Sequence, residues 1–177
     1  MPKTLRKPKV YKSPDAVDVM SLQELVRFAR SNSPFYKKLY SNLPDIIKLQ
    51  DLPIVSQDAF WAANSTKNNT LLTGPVDDAF IFTTGGTTDN PKFSIFSKDD
   101  WHSYLKTFAS GVCHGTLQDG DCVANLFFAG RMYGSFVFTH SFLELSPLKL
   151  IQLPIQGSTG FPETTSIMKE FKANVIA

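Results

Sequence analysis

The chain has 177 residues, of which 42% are hydrophobic, and a formal net charge of only +2. That length suits one domain with a core of its own and argues against global disorder. The near-neutral charge gives no general case for nucleic-acid binding, and no apolar run is long enough to cross a bilayer. Fifteen phenylalanines are an unusual number and read mostly as buried packing residues. The two cysteines, Cys113 and Cys122, match neither a disulfide framework nor a zinc pattern, so they read as buried thiols of a reducing, cytoplasmic compartment.

Residues 1–18 form a basic extended arm. Lys3, Arg6, Lys7, Lys9 and Lys12 precede the first acid, Asp15, with Pro2, Pro8 and Pro14 among them. The apolar stretch of a secretory signal is absent there. Ser21-Leu22-Gln23-Glu24 is a capping box, and Leu22, Leu25, Val26 and Ala29 follow helical spacing up to Pro34, which ends the helix. A short second helix begins with Phe35, Tyr36, Leu39 and Tyr40. Residues 52–55 are an extended link, Ser56 caps a helix through Phe60 and Trp61, and residues 64–70 are a polar loop.

Strands then alternate with helices. Residues 79–83 and 93–96 are strands most simply joined as a hairpin, with a glycine–threonine loop between them. Ser97 and Asp100 open a helix whose apolar face reads Trp101, Leu105, Phe108, Ala109 and Val112, with Gly115 as its stop. Asp119-Gly120 is a turn, 121–128 a buried strand and 130–134 a loop. Residues 135–145 are a helix, 148–153 a strand and 157–160 a flexible loop. Pro162 and Glu163 suit the first turn of a helix carrying Ile167, Met168 and Phe171, and 175–177 opens one more strand. An unfinished apolar strand would leave an unpaired edge, so the expectation is the front part of something longer. The pattern gives an α/β fold, a mixed sheet flanked by helices. His102 and His140 fall on helices as surface or packing residues.

The stretch Thr84-Gly85-Gly86-Thr87-Thr88-Asp89-Asn90-Pro91-Lys92 is built for an anion. Glycines let backbone amides approach it, threonines add hydroxyl donors and Lys92 adds charge, a combination suited to nucleotide phosphates. It is not a Walker loop, because Lys92 follows Pro91 and precedes Phe93 rather than closing a Gly-Lys-Ser/Thr run before a helix. It is not a dinucleotide fingerprint, because Gly85 and Gly86 are adjacent and a strand follows. A plain connection between strands is the remaining alternative, since Gly, Thr, Asp and Asn favour turns.

The segment resembles the Ser/Thr/Gly-rich signature loop of the adenylate-forming enzymes. The resemblance extends along most of the chain. Ser33-Pro34-Phe35-Tyr36 within 24–40 and Leu52-Pro53-Ile54-Val55-Ser56-Gln57-Asp58 are similar to the N-terminal helix and pre-loop link of the phenylacetate–CoA ligase branch. Residues 127–134 fall where that family lines its acyl pocket. The resemblance implies that 19–177 is the N-terminal part of an adenylation domain. The adenine segment, the acidic residue tied to magnesium and the mobile C-terminal domain with its catalytic lysine would lie beyond Ala177.

It further implies AMP-forming activation of a small carboxylic acid, with ATP and Mg2+ as cofactors and CoA or another thiol as acceptor, and with neither nucleic acid nor membrane as partner. Thr84, Gly85, Gly86, Thr87, Thr88 and Lys92 would hold the phosphates, Lys92 as the candidate catalytic charge. Arg131, Tyr133 and Gly134 would line the substrate pocket, and no protein metal site is expected. Two departures stand out: Asp89 replaces the family's glycine, and the pocket segment carries Arg131, Met132 and Tyr133 without the expected histidine. Both favour the alternative of a degenerate, non-catalytic nucleotide- or partner-binding remnant. On either reading, residues 1–177 alone are expected to show little or no turnover.

Overall fold

The computed structural model describes residues 20–84, 92–112 and 117–177. They divide into two compact units, one within Ala16–Asp77 and one within Asp78–Ala177.

The first unit is helical. α1 (Leu22–Asn32) opens on the expected capping box: Ser21 N–H donates to Glu24 Oε2 at 2.8 Å, and Glu24 N–H donates to Ser21 Oγ at 3.4 Å. The Ser21 hydroxyl also donates to Glu24 Oε2 at 2.6 Å, and this bond, followed by that of the Ser21 N–H, holds the Glu24 carboxyl below its ordinary pKa. Ser33, 1% exposed, closes α1 with extended dihedrals and then caps α2 (Pro34–Leu39), where Pro34 stands in the first turn. The proline that stops one helix therefore starts the next, a position where its missing N–H costs nothing. The Ser33 hydroxyl donates to Thr70 O at 3.1 Å, and Phe35 N–H donates to the same carbonyl at 2.9 Å. This ties the 64–70 loop to the α1–α2 corner. α3 (Gln57–Ala63) starts at its expected cap, Ser56. A single 3-10 turn, Leu49–Asp51, has no periodic signal in the sequence.

In the second unit, β1 (Ala79–Thr83) and β2 (Phe93–Ser97) pair antiparallel, from Ala79 opposite Ser97 to Thr83 opposite Phe93. α4 (Lys98–Val112) follows at once, its first turn held by Asp100 N–H donating to Ser97 Oγ at 3.1 Å. Strand alternation puts Phe80 and Phe82 on one face. Both rings, with Phe96 and with Phe138 from α5 (Ser135–Glu144), surround Trp101 at centroid distances of 5.0 to 5.9 Å. Trp101 and Leu105 are buried on the expected face of α4, whereas Phe108 is 40% exposed and stacks edge-on against Phe138.

A separate sheet is wholly parallel, in the order β4–β3–β5, from β3 (Cys122–Asn125), β4 (Ile151–Pro154) and β5 (Val175–Ile176). α5 connects β3 to β4, and α6 (Phe161–Glu170) connects β4 to β5, as parallel strands require. Every residue of central β3 is buried. Cys122 and Ala124 pack with Leu153 and Ile155 against Ile167 and Met168 of α6. Asn125, on the other face by alternation, donates through Nδ2 to Phe136 O of α5 at 3.0 Å. The sheet is therefore covered on both faces. The α/β class is as expected, with the parallel and antiparallel pairings carried by two sheets.

The run 121–128 yields a strand of only four residues. At one end, the Asp121 carboxylate turns to Gln118 N–H (2.9 Å) and Asn174 Nδ2 (2.7 Å). At the other, Asn125 Oδ1 accepts from Phe127 N–H at 3.2 Å, and this local turn draws the chain out of extended geometry. The expected strand over 148–153 likewise settles three residues later, at Ile151–Pro154.

Candidate functional site

The hairpin does not end with its last registered pair. Thr84 N–H donates to Lys92 O at 2.9 Å, so these two residues face each other across the mouth of the predicted phosphate loop. Both are exposed. Gly85, Gly86, Thr87, Thr88, Asp89, Asn90 and Pro91, the rest of that loop, lie outside the described residues, as does Cys113. Cys122 is buried and free.

The second predicted segment comes to the same place. Leaving the carboxyl end of β3, the chain takes three consecutive positive φ values: Gly130 at 114°, Arg131 at 48° and Met132 at 61°. Side chains resist that region, and each non-glycine residue held there costs on the order of 1 kcal/mol or more. Thr83 holds the bend in place. Its N–H donates to Met132 O at 2.9 Å and its hydroxyl donates to Arg131 O, also at 2.9 Å. Tyr133 N–H donates back to Gly130 O at 3.0 Å, and the Tyr133 ring meets Phe128 edge-on at 5.6 Å. Gly134 lies against the face of Phe82, where an added Cβ would come within 3.0 Å of the ring. One strand end thus leads into the predicted phosphate loop and anchors the expected pocket segment.

Arg131 is exposed and makes no ion pair with a described carboxylate, which leaves its guanidinium free to meet an anion. His102 and His140 are exposed on α4 and α5; His140 Nδ1 lies 3.0 Å from the Gln152 amide. No group of His, Cys, Asp and Glu side chains among the described residues is placed to hold a metal ion. No described helix is long and apolar enough to cross a membrane.

Two residues of the arrangement carry little signal in the sequence. Thr83 reads as an ordinary strand end, and only the folded chain shows that both its donors reach the 130–134 bend. Asn125 was legible in principle, as the single amide in the run Cys-Val-Ala-Asn-Leu-Phe-Phe. It is 3% exposed and sets where β3 stops. The 157–160 segment, read as a flexible loop, is a pinned turn. Gly157 N–H donates to Phe127 O at 3.0 Å, and an added Cβ there would stand 2.5 Å from Leu126 O. Only glycine permits that approach of two backbones.

No protein-family profile matches the chain, and no curated protein matches it in sequence. Solved structures do match. A 2-hydroxyisobutyryl-CoA ligase in complex with 2-HIB-AMP and CoA, in the thioesterification state, superposes with a TM-score of 0.67 at 19% identity, over 85% of this chain and 33% of that one. The same ligase in the postadenylation state with 2-HIB-AMP gives 0.65 at 16% identity, over 86% and 38%. The chain thus spans about a third of the length of the structures it matches. The fold is that of part of an adenylate-forming ligase domain, in agreement with the resemblance carried by the sequence motifs.

Proposed function

We propose that the chain is the N-terminal portion of an ATP-dependent ligase that activates a small carboxylic acid as its acyl-adenylate and passes it to CoA or another thiol. One observation carries this reading. In a fold shared with a ligase crystallised with an acyl-AMP and CoA, Thr83 joins the Thr84/Lys92 hairpin mouth to the strained 130–134 bend. Attack of a carboxylate on the α-phosphorus of ATP, with loss of diphosphate, needs two anionic partners held in line and charge relief on the leaving group. On this reading Lys92 and the Thr84 hydroxyl would meet such a tail, and the sequence resemblance assigns the rest of its contacts to the amides of Gly85, Gly86 and Thr87 and the hydroxyls of Thr87 and Thr88. Arg131 would meet the carboxylate, with Tyr133 and Gly134 shaping its surroundings.

Mg2+ would relieve charge on the phosphates, and the resemblance puts the acidic residue tied to it beyond Ala177. We further propose, on the sequence motifs, that the chain belongs to the phenylacetate–CoA ligase-like branch and works in the cytoplasm on small molecules, with 1–18 as an arm preceding the part of the adenylation domain in 19–177.

The test is carboxylate-dependent ATP–diphosphate exchange by the natural protein that carries this chain. The reading predicts that Lys92→Ala and Gly86→Val each lower exchange at least tenfold. Unchanged exchange in both variants would remove the loop from the mechanism. Absence of exchange with any carboxylic acid, while nucleotide still binds, would favour the non-catalytic remnant.

A further inference from the structure

The helical unit holds a cleft of about 880 Å3 that the ligase reading does not use. Its floor is apolar, from Val26 on α1, 2% exposed, and Ile47, 8% exposed. The Gln23 side chain donates to Ile47 O, which fixes the 41–47 turn against α1 and builds the far wall. The rim is basic. Arg27 and Arg30 stand three residues apart on α1, hence on one side of the helix, and Lys37 joins them from α2. None of the three makes an ion pair with a described carboxylate. Asp45 is the one acid in the lining, and Ser31 and Ser41 add hydroxyls.

Three cations facing one cleft repel one another unless an anion joins them. Arginine forks match phosphate oxygens two at a time, and hydroxyls complete such a shell. The space is within the range of small-molecule sites and far exceeds what one inorganic ion fills, so it has room for an organic body. We infer that this cleft binds a small organic phosphate, its phosphate on Arg27, Arg30 and Lys37 and its organic part in the remaining space.

Phenyl phosphate titrated into the 177-residue chain, followed amide by amide by NMR, tests this. Saturable shifts confined to α1, α2 and the 41–47 turn are expected. The dissociation constant should rise at least tenfold in Arg30→Gln/Lys37→Gln and change less than twofold in Lys92→Gln. Raising salt from low to physiological levels should weaken binding of the unaltered chain, a readout independent of any variant's folding. A parallel titration with inorganic phosphate separates the sources: weaker binding supports an organic phosphate, and equal binding would overturn the organic part of the inference. Absence of saturable shifts at these residues, or affinity unchanged in the Arg30/Lys37 variant, would overturn the inference.

Discussion

The β1–β2 hairpin and the parallel β3–β4–β5 sheet belong to one unit, yet they are held by different means. No described residue of the hairpin strands is fully buried, and its order comes from rings: Phe80, Phe82 and Phe96 close around Trp101, which is 4% exposed. The parallel sheet has small aliphatic residues at its centre and, at the amino end of β3, a part-buried polar network around the buried carboxylate of Asp121. Asp121 there binds Gln118 and Asn174, while Asn174 Oδ1 accepts from Cys122 N–H at 2.8 Å. Stacked rings tolerate adjustment, whereas a hydrogen-bonded network around a buried carboxylate has few good arrangements. The rings therefore hold the hairpin, and the network fixes the strand that launches the 130–134 bend.

Three substitutions bear on that contrast. Removing the ring at the centre of the hairpin's cluster should cost most. Trp101→Ala is expected to lower unfolding free energy by about 3–5 kcal/mol in urea titrations, because four aromatic neighbours lose their partner. A loss below about 1 kcal/mol would mean that the hairpin does not depend on its rings. Asp121→Ala strands the Gln118 N–H and the Asn174 amide and should cost about 1–3 kcal/mol, with hydrogen exchange rising first at Cys122 and Asn174. Exchange rising equally in the hairpin would abolish the distinction between the two regions. Thr83→Val keeps the shape of the side chain and removes only the hydroxyl bond to Arg131 O. About 1 kcal/mol of stability should go, together with protection at Tyr133, while β1–β2 amides stay protected.

The same contrast explains what could be read beforehand. The capping box at Ser21, the apolar runs over 79–83 and 93–96 and the helical spacing of Trp101, Leu105 and Ala109 are local patterns, and the elements they predict are present. Where β3 stops was hidden, because Asn125 folds back on Phe127 N–H only once its own Nδ2 has found Phe136. The candidate site was half legible. Composition marks the Thr84–Lys92 segment, and its mouth closes as a hairpin should. The junction at Thr83 was not legible, since it joins residues 48 positions apart through backbone carbonyls that any residue carries.

The account stands on a polyphosphate tail entering the mouth between Thr84 and Lys92. Its most direct test is the melting temperature of the chain across an MgATP titration, since a ligand that binds only the folded form raises it. A saturable rise is expected that is kept in Arg30→Gln/Lys37→Gln and lost when Gly86→Val or Lys92→Ala is added to that background, in which the helical cleft no longer contributes. A midpoint that stays flat up to millimolar MgATP, or a rise that survives both loop substitutions in that background, would contradict the account.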